Sequence, residues 1–167
     1  MHDVLRTRVN DFAIKLANVN GTGSASANSL IMQAIFRMGI PVTGKNLFPS
    51  NIQGLPTWYE IRVNKDGHTA RALEYDLMVA MNGQTYKQDV AEVRPGGYLI
   101  YTGQPWHPQL EMIARTLTSH KAKGEPWIMR RRTQLELDQL VTAAGFRKVE
   151  QRVDEWGIFT VSVAERI

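Results

Sequence analysis

The sequence predicts a doubly wound α/β fold: three layers, with a mostly parallel sheet covered by helices on both faces and an antiparallel strand at its edge. Three observations carry that expectation. Apolar runs of strand length alternate with segments of helical period. A Gly-x-Gly turn, Gly21-Thr22-Gly23, joins the first strand to the first helix. Glycine or proline stands where the helices should stop.

Phe12 to Asn20 is mostly apolar and reads as the first strand. A helix follows from Ser26 to Met38, because Leu30, Ile31, Ala34, Ile35 and Met38 recur at helical spacing. Gly39 suits the left-handed cap beyond it, and Pro41 forbids continuation. A short strand is expected at Pro41–Gly44, then a long loop over Lys45–Pro56, a length often kept for function. Trp58–Val63 and His68–Ala72 flank Asn64-Lys65-Asp66-Gly67, which predicts a hairpin. Leu77–Met81 is a buried strand, Gln84–Val93 a helix ended by Pro95-Gly96-Gly97, and Tyr98–Tyr101 the next strand. Pro108 opens a helix to Ser119, and Trp127–Arg131 is a strand. Thr133-Gln134-Leu135-Glu136 is a capping box for a helix that Gly145 closes. Lys148–Asp154 and Ile158–Ala164 supply the antiparallel edge. The expected core draws on Leu30, Ile31 and Ile35 in one half, and on Ile113, Leu117 and Leu140 in the other.

With 167 residues, the chain suits one domain, 1–167. No run approaches the ~20 apolar residues of a membrane span, and the first residues lack an apolar signal core. Having no cysteine, the chain has no disulfide, thiolate nucleophile or iron–sulfur ligand. These features predict a cytoplasmic protein with no membrane partner. The net charge of +4 is small for a nucleic-acid binder. Arg130-Arg131-Arg132 would alternate across a strand and so form no contiguous patch. His107 and Glu111 share a helix face, but two ligands without a third do not make a metal site. Trp127 and Trp156 read as packing aromatics, and Ser24 lacks a base to activate it. No catalytic residue and no metal ligand is expected.

The candidate binding residues are Gly21, Thr22, Gly23, Ser24 and Lys45. A glycine turn lets backbone approach a phosphate, and the helix start behind it attracts anions; the same residues also serve as a plain tight turn. Between Asp11 and Glu60 there is no acid, which disfavours a ribose clamp of the NAD or S-adenosylmethionine kind and tolerates a phosphorylated ligand. Lys45 is either part of that site or a solvated loop residue.

Two resemblances divide the chain. Asn18-Val19-Asn20-Gly21-Thr22-Gly23-Ser24, the run from Gly39 through Gly44-Lys45-Asn46-Leu47-Phe48-Pro49 to Trp58, and Asp76-Leu77-Met78-Val79-Ala80-Met81-Asn82 resemble the gamma-type domain of 2-oxoacid:ferredoxin oxidoreductases, nearest the 2-oxoglutarate type, over about residues 9–100. In that family the domain is an accessory module. The resemblance implies contacts to coenzyme A or the thiamine site through Gly23, Ser24 and Lys45, shared with domains this sequence lacks. Gly96-Gly97-Tyr98-Leu99-Ile100-Tyr101, Gln104-Pro105-Trp106-His107-Pro108 and Asp154-Glu155-Trp156-Gly157 resemble the C-terminal half of a bacterial class I S-adenosylmethionine-dependent methyltransferase, over about residues 94–167. Enzymes of that type hold their cofactor on the first strands of the sheet, the part replaced here. Both relatives use a Rossmann-like sheet, so a splice at Tyr98–Tyr101 preserves the layer order. Together they imply an engineered chimera, 1–93 oxidoreductase-like and 94–167 methyltransferase-like, expressed recombinantly. It would need no cofactor or partner and have no native catalysis. The alternatives are a module keeping a phosphate, nucleotide or coenzyme A site at the glycine turn, or a working methyltransferase.

Overall fold

The computed structural model describes residues 10–49, 52, 54–103, 134–155, 157 and 160–167. It is a mixed α/β protein with seven strands among the described residues. The expected helix at Pro108–Ser119, the strand at Trp127–Arg131, and Ile113, Leu117, His107, Arg130–Arg132, Trp127 and Trp156 lie outside those residues. Among the described residues no helix is long and apolar enough to cross a membrane. The chain divides into two compact units, 1–100 with Arg166, and 101–165 with Ile167.

In the first unit, β1 (Asp11–Val19), β2 (Val42–Leu47), β3 (Pro56–Asn64), β4 (Tyr75–Ala80) and β5 (Val93–Gly103) take the order β2-β3-β1-β4-β5. Strand β1 runs parallel to β4, and β4 parallel to β5. Strand β3 is antiparallel to both β1 and β2, so antiparallel pairing also occupies this end of the sheet. The expected hairpin does not form. Asn64 and Gly67 make the turn, with the Asn64 side-chain oxygen accepting from the Asp66 and His68 amides at 3.0 and 3.1 Å. Yet β3 already has β1 on one edge and β2 on the other, so His68–Ala72 has no edge to join and stays out of the sheet.

Helix α1 (Ser24–Arg37) starts two residues before the expected Ser26 and ends as expected, with Gly39 at φ +77°. It turns Met32 and Ile35 onto Leu16, Tyr59, Ile61 and Val63, the buried apolar cluster of this unit. Leu30 and Ile31, expected in the core, face outward and are 65% and 42% exposed. The inward positions fall one step around the helix, on Asn28, Met32 and Ile35. Helix α2 (Tyr86–Ala91) is shorter than the sequence suggested. Pro95-Gly96-Gly97 lies within β5 and does not end the helix; Tyr75 pairs with Val93 and Leu77 with Tyr98, so Arg94–Gly97 bulges from the ladder with Gly96 at φ +68°. A side chain at Gly97 would meet the Arg94 carbonyl at 2.9 Å.

The second unit holds the end of β5, α3 (Gln134–Ala143), β6 (Phe146–Val153) and β7 (Thr160–Arg166), with β7 beside β6. Gly145, at φ +85°, closes α3 as predicted. Tyr101, Val141, Phe146 and Ala164 are buried apolar residues of this unit, while Leu140 is 36% exposed. The Asp138 carboxylate accepts from Lys148 Nζ, Tyr101 Oη and Gln134 Nε2, each at 2.7 Å. Burial alone would raise its pKa, but these three donors win and hold it below the ordinary carboxylate value.

Two stability predictions follow from this packing. Ile61→Ala empties a 1%-exposed site and should cost about 3 kcal/mol in urea unfolding. Because the folded pKa of Asp138 lies below the unfolded one, its contribution is present at neutral pH and lost as acid titrates it. Asp138→Asn should therefore cost about 1 kcal/mol at pH 7, a penalty that fades as falling pH protonates the carboxylate.

Candidate functional site

At the C-terminal end of β1, Gly21 and Gly23 adopt φ of +90° and +74°, which reverse the chain into α1. Gly23 is the helix N-cap, without a side-chain cap bond, and the first turn of α1 carries no acid. Nothing lies within 4 Å of where a Gly23 side chain would begin. The Thr22 hydroxyl donates to the Val19 carbonyl at 2.8 Å. Asn20 ties the turn to the loop before β3: its amide donates to Leu55 at 2.8 Å and its side chain to Ile52 at 3.1 Å. Gly21 to Ser24 thus form one outward-facing turn. Lys45 is exposed on β2, not in a loop, in register with Glu60 of β3 and, beyond it, Lys15 of β1. That places it about 13 Å along the strands from Val19 and two strands across.

A second constellation, unforeseen in the sequence, lies on the face of this sheet opposite the apolar cluster. Alternation turns Leu16, Tyr59 and Ile61 towards α1, and Lys15, Trp58 and Glu60 the other way. Lys15 is 2% exposed. Its ammonium pairs with Glu92, just past α2, and sits 5.3 Å from the Trp58 ring centre and 5.2 Å from that of Tyr75. Aromatic faces attract a desolvated cation and offset part of the cost of burying it. Glu60, also buried, accepts from the Tyr75 hydroxyl and pairs with Arg71 at 2.8 Å. Burial and the Glu60 carboxylate push the Tyr75 phenol far above its usual pKa, so it remains a donor. Asp89 is fully buried and accepts from Trp58 Nε1 at 2.8 Å and Thr85 Oγ1 at 2.6 Å. Burial raises its pKa against those two bonds.

Beside this network an open groove of about 390 Å³ is lined by Lys15, Arg71, Trp58, Phe48, Asn46 and Gln88, with Leu47 and Pro49. Among the described residues no group of three or more side chains could hold a metal ion. Nothing here pairs a nucleophile with a base; the arrangement can bind and orient. Glu92→Gln should leave the Lys15 charge without its counter-ion and cost about 3 kcal/mol. A Lys15→Met, Glu92→Gln double variant should recover part of that loss, as denaturant unfolding of both would show.

Two kinships run through the chain. It is 70% identical over 74 residues to "Uncharacterized protein YnbC" of Escherichia coli (strain K12), a match covering 44% of this chain and 12% of that protein. It is 28% identical over 91 residues to "2-oxoacid:ferredoxin oxidoreductase 2, subunit alpha" of Aeropyrum pernix, covering 54% of this chain and 14% of the subunit. The solved 2-oxoglutarate:ferredoxin oxidoreductase from Magnetococcus marinus superposes with a TM-score of 0.51 at 28% identity, over 56% of this chain and 16% of that one. The chain therefore spans less than a fifth of the length of each of these relatives. The mixed resemblance to an oxidoreductase subunit and a methyltransferase holds. Residues 80–166, just over half of the sequence, match the family described as "Putative methyltransferase", and the chain belongs to that family.

Proposed function

We propose that this chain is an engineered chimera, a Rossmann-like three-layer domain in which an oxidoreductase-type segment stands in for the first strands of a methyltransferase, and that it is a folded scaffold without native catalysis. The observation that carries this reading is that kinship and compactness both change between residues 80 and 101. The methyltransferase match starts at residue 80, at the end of β4, and the two compact units divide at Ile100 and Tyr101, within β5. Parallel β4 and β5 are the kind of element both parent folds share, so recombination there keeps the strand order. The segment that would hold S-adenosylmethionine in a methyltransferase instead carries an acid-free stretch from Phe12 to Tyr59 and a buried ion-pair network around Lys15.

A second reading, a module that retains an anion site, is favoured by the exposed Gly21–Ser24 turn at the start of α1. One experiment separates the readings: thermal unfolding of the whole chain with and without coenzyme A, ATP, NAD and S-adenosylmethionine. A ligand at about 100 times its Kd adds about 2.7 kcal/mol, so binding is readily seen. The scaffold reading predicts one cooperative melt that none of the four moves. A shift with a phosphorylated ligand that Gly23→Asp abolishes would replace it with the binding module. A shift with S-adenosylmethionine, accompanied by methyl transfer, would replace it with an enzyme.

A further inference from the structure

We propose that the groove beside Lys15 binds small organic carboxylates with an apolar, preferably aromatic, body. Three observations carry this, none of them shared with the glycine turn. First, the charged groups lining the groove are both cations, Lys15 and Arg71; the carboxylates that pair with them, Glu92 and Glu60, are not part of the lining. An anion entering the groove meets the exposed Arg71 guanidinium first, with the buried Lys15 ammonium in the wall behind it. Second, the Lys15 ammonium is held on one side by Glu92 and faces Trp58 and Tyr75 at just over 5 Å. Ring faces take up charge but do not replace a strong acceptor, so an ammonium with three donors retains capacity for a carboxylate oxygen. Third, the rest of the wall is apolar or amide. Trp58, Phe48, Leu47 and Pro49 suit a ring or short hydrocarbon, and Gln88 adds a hydrogen bond without charge. The volume of about 390 Å³ is at the lower end of ligand-sized cavities.

The arrangement selects on sign of charge and on shape. A carboxylate oriented to Lys15 and Arg71 puts its body against Trp58 and Phe48. A neutral amide of the same shape keeps the apolar contact and loses the charge, and an amine meets two like charges. Trp58 is the natural reporter, because its indole N–H is fixed by Asp89 at 2.8 Å while its ring lines the groove.

The probe is phenylacetate, titrated into the full chain and followed by the indole N–H resonance of Trp58, with phenylacetamide and phenethylamine as controls. Saturable binding of phenylacetate is expected, with phenylacetamide at least about tenfold weaker, the value of one charge-assisted contact. Arg71→Gln, at an exposed side chain whose loss leaves Glu60 still bonded to the Tyr75 hydroxyl, should weaken phenylacetate about fivefold. Gln88→Glu, which puts an acid into the lining of an exposed helix position, should weaken it at least as much. Absence of saturable binding, equal affinity for acid and amide, or indifference to both substitutions would each overturn the proposal. The scaffold reading would survive all three outcomes, since it depends on the nucleotide cofactors and not on this groove.

Discussion

A lysine removed from water in the middle of a mostly apolar strand must find an opposite charge, and that requirement organises the first unit. Lys15 lies on β1, the strand at the centre of the order β2-β3-β1-β4-β5. Its partner, Glu92, follows α2, so one ion pair fixes where the helix lies on the sheet. The aromatic rings about the ammonium come from β3 and β4, and each ring is held by a second acid, Trp58 by Asp89 and Tyr75 by Glu60. Each acid is in turn hydrogen-bonded or paired. Low dielectric makes such a network strong when complete and costly when any member is missing, which is why it gives register and specificity more readily than raw stability.

The two faces of this sheet therefore work by different physics. Towards α1 the contacts are apolar, with Ile61 and Val63 almost fully buried. Towards α2 they are ionic and aromatic. Strand alternation alone separates the two, residue by residue, along β1 and β3. The groove arises on the polar face because the edge strand β2 brings Leu47, with Phe48 just after it, beside Trp58.

Much of the fold was legible in the sequence because local chemistry agreed with the final structure. Gly39 and Gly145 mark helix ends by their left-handed geometry, and β1 and β4 fall close to the apolar runs that announce them. The misreadings share a cause: each depended on a neighbour the local pattern does not name. The turn at Asn64–Gly67 has hairpin chemistry, but whether a hairpin forms depends on whether β3 has a free edge. The stripe Leu30-Ile31-Ala34 has helical period, but period does not say which of two adjacent stripes faces the sheet. Pro95-Gly96-Gly97 reads as a terminator, and strand pairing on either side absorbs it as a bulge. The glycine turn was visible as Gly-x-Gly. The Lys15 constellation was not, since its members come from four elements; the one local signal was a single charge inside Phe12–Asn20, flanked by apolar residues on both sides.

The central position of β1 has a consequence for how the chain is made. It leaves a ribosome before both of its partners, because β3 and β4 come later in the sequence. At about 5–20 residues per second β1 waits several seconds with no strand to pair with. An apolar strand in that condition is a template for pairing with other chains. Lys15, at its middle, gives the waiting segment a charge, and charge opposes such pairing.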